Sequence, residues 1–341
     1  MKSKKTKIKD IRIKEYRQTV NRCMATMMSL FGLIYVFALV EYILTAEVFF
    51  FLDGTASEVV NSLISSFCYM SMFILPIFTF RAFSRKALYF PLAAKPTLPK
   101  GAVRICIAAV SVVFPTTIIN SLIMGYLAEL TGRTPDFSLF ESEINGIHSI
   151  VLMFISTAIV PALCEEFLFR GVIQKNLMPY GKTVSVVISA FLFALMHQNF
   201  YQFLYTFVAG LVLGYVFLMT GSIWCGVLIH FINNFISVFL SALSYYLNDE
   251  AAALAEYLIM SVFLLCGILS IVSLLKDMKK NETRKMGSVY MNTEPLLVFD
   301  SDRKLTCREA TKHFFTPSTV CVILFSVASA FMTLALILIP A

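Results

Sequence analysis

Residues 155–174, ISTAIVPALCEEFLFRGVIQ, place two adjacent glutamates and an arginine inside a run that is otherwise apolar. A carboxylate in hydrocarbon is costly, so it needs partners and often marks a functional position in a membrane segment. Glu166 and Arg170 are spaced i,i+4 with the acid on the N-terminal side, the favourable orientation for an ion pair on a helix. Glu165 points about 100° away on the same helix. The spacing therefore predicts that Arg170 neutralises Glu166 and that Glu165 is free to accept a proton from water.

The rest of the chain has the composition of a polytopic membrane protein. Of its 341 residues, 58% are hydrophobic and 14% are charged, with a mean hydropathy of +0.78, whereas soluble domains carry about 25% charged residues. A transmembrane β-barrel would show short alternating segments instead of long apolar runs. The sequence therefore predicts an all-α fold, a polytopic transmembrane helical bundle. Candidate spans of about 20 apolar residues are 23–45, 59–80, 104–128, 148–169, 183–199, 201–219, 223–246, 254–275 and 318–339.

Positive charge collects on one side of this predicted bundle. Of 28 Lys and Arg residues, nine lie in 1–22, six in 81–104, three in 170–182 and nine in 276–312. The loops between these regions are acidic instead. By the positive-inside rule, the N-terminus is cytosolic and the loops alternate without contradiction through the predicted spans. The net charge of +7 therefore indicates topology and contact with anionic lipids of the bilayer, and no nucleic-acid partner is expected.

The same pattern divides the chain into four parts. We expect a basic cytosolic arm (1–22), a transmembrane bundle (23–275) with a catalytic core at about 148–246, a cytosolic connection (276–317) and an additional C-terminal transmembrane helix (318–341). The arm does not resemble a cleavable signal peptide, because the first span is full length and no A-x-A-like site follows it. The connection is too short for an independent domain with a sizeable core.

Two further motifs carry polar side chains into the following spans. His197 ends the motif FALMH, and His230 and Asn234, again spaced i,i+4, belong to HFINN. Asn233 is the neighbouring choice, but it turns about 100° away. At 1.5 Å per residue, Glu165, His197 and His230 lie about 15, 20 and 10 Å from the predicted cytosolic ends of their helices. The three side chains can therefore meet within the cytosolic half of the bilayer.

A carboxylate, two imidazoles and an amide permit two kinds of hydrolytic chemistry. In one, the glutamate activates water while imidazole and amide groups stabilise an oxyanion. In the other, Glu165, His197 and His230 hold a zinc ion whose bound water attacks a peptide. Two other interpretations are a structural ion cluster that fixes helix packing and a relay in a proton- or ion-coupled transporter. Neither an inverted repeat nor a pair of broken helices in the sequence favours the transporter.

Taken in order and on successive predicted helices, the three motifs resemble a known family. EEFLFR matches E-E-x-x-x-R, FALMH matches F-x-x-x-H and HFINN matches H-x-x-x-N, and together they are similar to the CPBP family of intramembrane endopeptidases. That family includes the CAAX prenyl endopeptidases and the bacterial Abi or bacteriocin-immunity proteins. The resemblance covers roughly residues 150–245 and implies a core of about eight helices. The span at 318–339 is then an addition to the core.

The resemblance also implies a role for each motif residue. Glu165 would activate water together with His197. His230 and Asn234 would polarise the scissile carbonyl and stabilise the oxyanion, with the pair formed by the second glutamate and the arginine in support. The family is described both as metalloproteases and as metal-independent glutamic proteases, so zinc and no metal are both open. The expected substrate is a membrane-associated protein or peptide cut near the cytosolic face, in a plasma membrane that we expect to be bacterial. A non-catalytic immunity or adaptor protein of the same fold is the alternative.

Overall fold

The computed structural model describes residues 4–52, 54–82, 98–99, 101–131, 144–282 and 305–338. Every regular element in these ranges is a helix. The helices are α1 (Lys4–Phe51), α2 (Gly54–Ala82), α3 (Ala102–Val113), α4 (Pro115–Thr131), α5 (Ile147–Tyr180), α6 (Lys182–Met196), α7 (Phe200–Thr220), α8 (Ile223–Tyr246), α9 (Asp249–Glu282), α10 (Cys307–Phe314) and α11 (Pro317–Leu338).

The predicted membrane bundle is confirmed. Among the described residues, seven helices (α1, α2, α5, α7, α8, α9 and α11) are long and apolar enough to cross a membrane, and α6 is a shorter apolar helix. The predicted span 104–128 differs, because α3 ends at Val113 and α4 begins at Pro115. Proline has no backbone N–H and clashes with the preceding turn, so it interrupts a continuous helix at this point.

The predicted arm is helical and continuous with the first span. Tyr16 and Val20 of α1 are fully buried, and the Tyr16 ring packs edge-to-face on Tyr180 at the end of α5, with 5.3 Å between ring centroids. The hydroxyl of Thr19 lies 3.2 Å from that of Tyr180. The part of the arm next to the membrane is therefore packed against the bundle.

Helix α5 belongs to the first of two apolar clusters in the bundle. One cluster joins α1, α2, α5 and α6, together with α10 and α11. The other joins α3, α7 and α8, with α9 packed against it. Two π-helical segments of α5, Phe154–Ile159 and Phe167–Gln174, flank the turn that carries the two glutamates. Such segments are rare and frequently occur at functional sites.

Helices α6 and α7 form a hairpin whose tip is tightly constrained. With 15 residues, α6 is about 22 Å long, shorter than the hydrocarbon core of about 30 Å. Gln198 at the tip has φ 52°, and the side chain of Asn199 caps α7 by accepting a hydrogen bond from the backbone N–H of Gln202. A Cβ on Gly210 would lie 2.8 Å from the Cα of Ala190. The two helices can therefore pack this closely only because residue 210 is glycine.

Candidate active site

The acid pair of α5 is buried, and its second member forms the expected ion pair. Glu165 is 4% exposed, and Glu166 and Arg170 are fully buried. Oε1 of Glu166 accepts a hydrogen bond from Nη1 of Arg170 at 2.7 Å. Nη2 of Arg170 donates to the carbonyl of Gly210 on α7 at 3.3 Å, and the guanidinium carbon lies 4.7 Å from the centroid of the Phe193 ring on α6. Arg170 therefore neutralises Glu166 and joins three helices.

Helix α8 completes the surroundings of Glu166. A Cβ on Gly226 would lie only 2.5 Å from Oε2 of Glu166, so the glycine makes room for the carboxylate. One turn further along α8, Nδ1 of His230 lies 3.2 Å from Oε1 of Glu166. Because an ionised carboxylate only accepts hydrogen bonds, Nδ1 of His230 carries the hydrogen. Glu166 thus links Arg170 to His230.

Glu165 has a different partner, contributed by α2. The hydroxyl of Tyr69 donates a hydrogen bond to Oε1 of Glu165, and the Tyr69 ring stacks on Phe73 with 4.9 Å between centroids. Oε2 of Glu165 is buried and has no hydrogen-bond partner among the described residues. One oxygen of this carboxylate is therefore fixed by protein, and the other can receive a hydrogen bond from water. Sequence reasoning missed Tyr69, which lies in a separate span outside the motifs.

His197 follows the last residue of α6, and its ring is oriented by the first residue of its motif. Nδ1 of His197 lies 2.9 Å from the carbonyl oxygen of Phe193. A carbonyl only accepts, so Nδ1 carries the hydrogen and Nε2 is the basic nitrogen of the neutral ring. The ring of Phe193 also meets His197 and His230 edge-to-face, with centroid distances of 5.1 and 6.0 Å. Phe193 therefore packs against both imidazoles.

The side chain of Asn234 is hydrogen-bonded to a backbone carbonyl of α5, and the residue four positions after that carbonyl is a proline, which has no N–H to donate to it. Pro161 in α5 cannot donate to the carbonyl four residues earlier, that of Thr157. Nδ2 of Asn234 donates to this carbonyl at 3.0 Å. Asn233 next to it is buried and donates to the hydroxyl of Tyr205 on α7. The structure thus places both asparagines at the site, and Asn233 and Tyr205 are additions to the residues that we predict from the sequence.

The four side chains predicted to be catalytic share one cavity. A cavity of about 100 Å³ is lined by Glu165 from α5, by His197 from the turn after α6, and by His230 and Asn234 from α8. This volume is large enough for several water molecules. The remaining lining residues are Val113, Phe193, Tyr205, Thr206, Ala209, Leu213, Ile229 and Asn233. The two residues predicted to support the site, Glu166 and Arg170, lie behind this lining and contact it through His230 and Phe193.

The zinc hypothesis requires Glu165, His197 and His230 to converge on one point. Among the residues that the structure describes, no three His, Cys, Asp or Glu side chains form a group that could hold a metal ion. Nδ1 of His230 contacts Glu166 instead of Glu165, and Nδ1 of His197 contacts a backbone carbonyl. As placed among the described residues, Glu165, His197 and His230 therefore do not form a metal-binding group.

Fold and site together define a multi-pass membrane protein with a cavity between its helices that is large enough for several water molecules and carries carboxylate, imidazole and amide groups. Residues 147–236 match the family model described as type II CAAX prenyl endopeptidase Rce1-like. The match covers 90 of the 341 residues and includes every predicted site residue. It supports a CPBP-family intramembrane endopeptidase, so the resemblance predicted from the three motifs is confirmed. Searches of curated proteins and of solved structures found no match.

Proposed function

We propose that the protein is a glutamate-dependent intramembrane endopeptidase that hydrolyses a peptide bond with water held at Glu165. The observation that supports this most is the shared cavity, in which the four candidate catalytic side chains meet although they come from different helices. The cavity is lined by both apolar and polar groups and lies between the two apolar clusters of the bundle. Water in such a place is available for reaction only where side chains hold it.

In the proposed reaction, Glu165 is the general base. Its Oε2 accepts one proton of the water as the water oxygen forms a bond to the scissile carbonyl carbon. Nε2 of His197 accepts a hydrogen bond from the other hydrogen of that water and orients it. When the tetrahedral intermediate collapses, the C–N bond breaks and Glu165 returns its proton to the leaving amine.

The negative charge that develops on the carbonyl oxygen must be stabilised by hydrogen-bond donors. His230 supplies one when it is protonated, because Nδ1 then donates to Glu166 and Nε2 donates to the oxyanion. Two ionised glutamates, Arg170 and this imidazolium sum to a formal charge of zero, which suits a buried site. Asn234 has a second N–H besides the one that it donates to α5, and this is the second donor.

The charge pattern supports a cytosolic N-terminus and a cut near the cytosolic face. The end of α5 and the start of α6 carry Lys175 and Lys182, on the side to which the positive-inside rule assigns the cytosol. The substrate that fits is a membrane-associated protein or peptide, in a plasma membrane that we propose is bacterial. A prenylated CAAX protein and a bacteriocin-related peptide are both candidates, the first from the name of the matching family model and the second from the resemblance of the motifs.

The test compares membrane proteomes of cells that carry the wild type, Glu165→Gln or Glu256→Gln. Glu256 is exposed on α9 and gives the same chemical change away from the cavity. We expect uncleaved substrate to accumulate only with Glu165→Gln, at unchanged expression. Retained cleavage in that variant would contradict the proposal.

The same variants separate the alternatives. A phenotype rescued by Glu165→Gln would indicate a non-catalytic immunity or adaptor protein. Ion flux in proteoliposomes that is lost in this variant, without any peptide cleavage, would indicate a transporter. Metal analysis of the purified protein, together with a chelator titration of cleavage, tests the zinc hypothesis directly.

A further inference from the structure

The C-terminal helix α11 makes hydrogen bonds on both sides of His197. The hydroxyl of Ser326 donates to the carbonyl of Leu195 at 2.7 Å, and the hydroxyl of Thr333 lies 3.1 Å from the carbonyl of Ser329 in its own helix and 3.3 Å from the carbonyl of Gln198. The hydroxyl of Ser329 donates to Oε1 of Gln198 at 2.5 Å. Three hydroxyls on one face of α11 therefore lie against the tip of the α6–α7 hairpin, and those of Ser326 and Ser329 donate hydrogen bonds to it.

Helix α1 adds to this contact. Because Ser329 donates to Gln198, the hydroxyl of Tyr35 donates to Oγ of Ser329 at 2.7 Å, and it lies 3.2 Å from Oε1 of Gln198. Gln198 is 9% exposed, Ser329 is 8% exposed and Ser326 is 3% exposed, so the cluster is shielded from solvent. The two helices are held together beside it by Phe325, which stacks on Phe31 with 5.2 Å between centroids.

The tip of the hairpin needs such partners for two physical reasons. The last carbonyls of a helix have no partner within the helix, and in hydrocarbon they cannot turn to bulk water. Gln198 also has φ 52°, a left-handed conformation that a non-glycine residue keeps only where its surroundings fix it. His197 lies between Leu195 and Gln198, so its backbone is fixed when both neighbours are.

We propose that α11 is a positioning helix for His197, and that Ser326 and Ser329 set the position of its imidazole in the cavity. The inference rests on the proposed function, because His197 is the group that orients water there. It assigns a role to the span that the family resemblance leaves outside the core. The two serines touch no reacting atom and act through the backbone of the α6–α7 turn.

The first arm of the test measures cleavage kinetics on a substrate identified by the proteome comparison. We expect Ser326→Ala/Ser329→Ala to lower kcat about tenfold, because small misplacement of a catalytic group is costly. The change in KM should stay below about twofold, since substrate contacts remain. Ser326→Thr/Ser329→Thr keeps both hydroxyls and should retain most of kcat. The control is Ser318→Ala, which removes a hydroxyl of α11 that bonds Asn21 of α1 instead of the hairpin.

The second arm needs no substrate. Hydrogen exchange followed by mass spectrometry should show backbone N–H groups of residues 195–199 exchanging at least about fivefold faster in the double variant, because fivefold corresponds to one hydrogen bond and the variant loses two. Exchange in Ser318→Ala should match the wild type in this peptide. If the wild type cleaves nothing, the proposed function fails, and exchange alone still decides whether α11 fixes the turn. Wild-type kcat together with wild-type exchange in the double variant would overturn the inference.

Discussion

For the buried ion pair of Glu166 and Arg170, we predict that removing one partner lowers the free energy of unfolding more than removing both. In Arg170→Met, Glu166 would stay fully buried, and within the described part of the chain its Oε2 would have no partner and its Oε1 only His230. Breaking a buried pair in this way costs about 3–5 kcal/mol. We expect the lower end of that range, because His230 keeps its hydrogen bond to Oε1 of Glu166.

The double variant Glu166→Gln/Arg170→Met removes both charges and keeps the shape of residue 166 beside Gly226. Its remaining cost is the loss of the donor to the carbonyl of Gly210, about 1 kcal/mol for one hydrogen bond. The double variant should therefore be more stable than Arg170→Met by about 2 kcal/mol or more. This difference is expected if Arg170→Met is destabilised mainly because the charge of Glu166 is left buried and unpaired.

The chain offers its own probe for the measurement. Trp224 is the single tryptophan, and its ring lies edge-to-face on Phe167 of α5, with 5.7 Å between centroids. Its fluorescence therefore reports the separation of α5 and α8 when a denaturing detergent is titrated into mixed micelles. A cost below about 1 kcal/mol for Arg170→Met, or a double variant no more stable than the single one, would refute the expected cost of an unpaired buried charge.

Three further predictions concern other contacts. Tyr69→Phe removes the donor to Glu165 and should lower kcat about tenfold at unchanged expression, measured in the cleavage assay. Gly210→Ala places a methyl group against the α6 backbone and should cost about 1–3 kcal/mol in the detergent titration. The hydrogen bond from Lys9 holds the pKa of Glu309 at about 2, below its ordinary value of 4.5. This contact between α1 and α10 therefore contributes stability above about pH 4.5 that is lost as the pH falls toward 2, which hydrogen exchange of α10 against pH should show.

Each of these has a matched control. Tyr42→Phe changes an exposed tyrosine of α1, and a kcat as low as that of Tyr69→Phe would argue against a role for the Tyr69 hydroxyl. Gly32→Ala meets nothing within 4 Å, so a cost equal to that of Gly210→Ala would contradict the packing explanation. Glu309→Gln should remove the acid dependence of α10, and its persistence in that variant would assign it to another group.

Contacts within one helix could be predicted from the sequence more fully than contacts between helices that are distant in the chain. The i,i+4 spacing of Glu166 and Arg170 predicts their ion pair, because both lie on one helix and the distance follows from helix geometry. The spacing of His230 and Asn234 likewise places both at the cavity. Asn233, about 100° away, also lines it, because the cavity extends from α8 toward Tyr205 on α7.

Individual side-chain contacts between helices could not be predicted from the sequence. Nothing near Tyr69 distinguishes it from the other aromatic residues of a membrane span, and its role depends on how α2 packs against α5. Gly226 is informative only once the carboxylate of Glu166 is placed beside it. His148 at the start of α5 pairs with Glu58 at 2.7 Å, a contact that depends on the starts of α2 and α5 lying side by side.

Pro161 has a consequence for anyone who would transplant this site into a designed helical bundle. Copying the glutamates, the histidines and Asn234 would omit the residue that leaves the Thr157 carbonyl without its usual donor. With any other amino acid at position 161, a backbone N–H would compete for that oxygen, and the amide of Asn234 could rotate away from the cavity. The smallest transferable unit therefore includes a proline that touches no substrate.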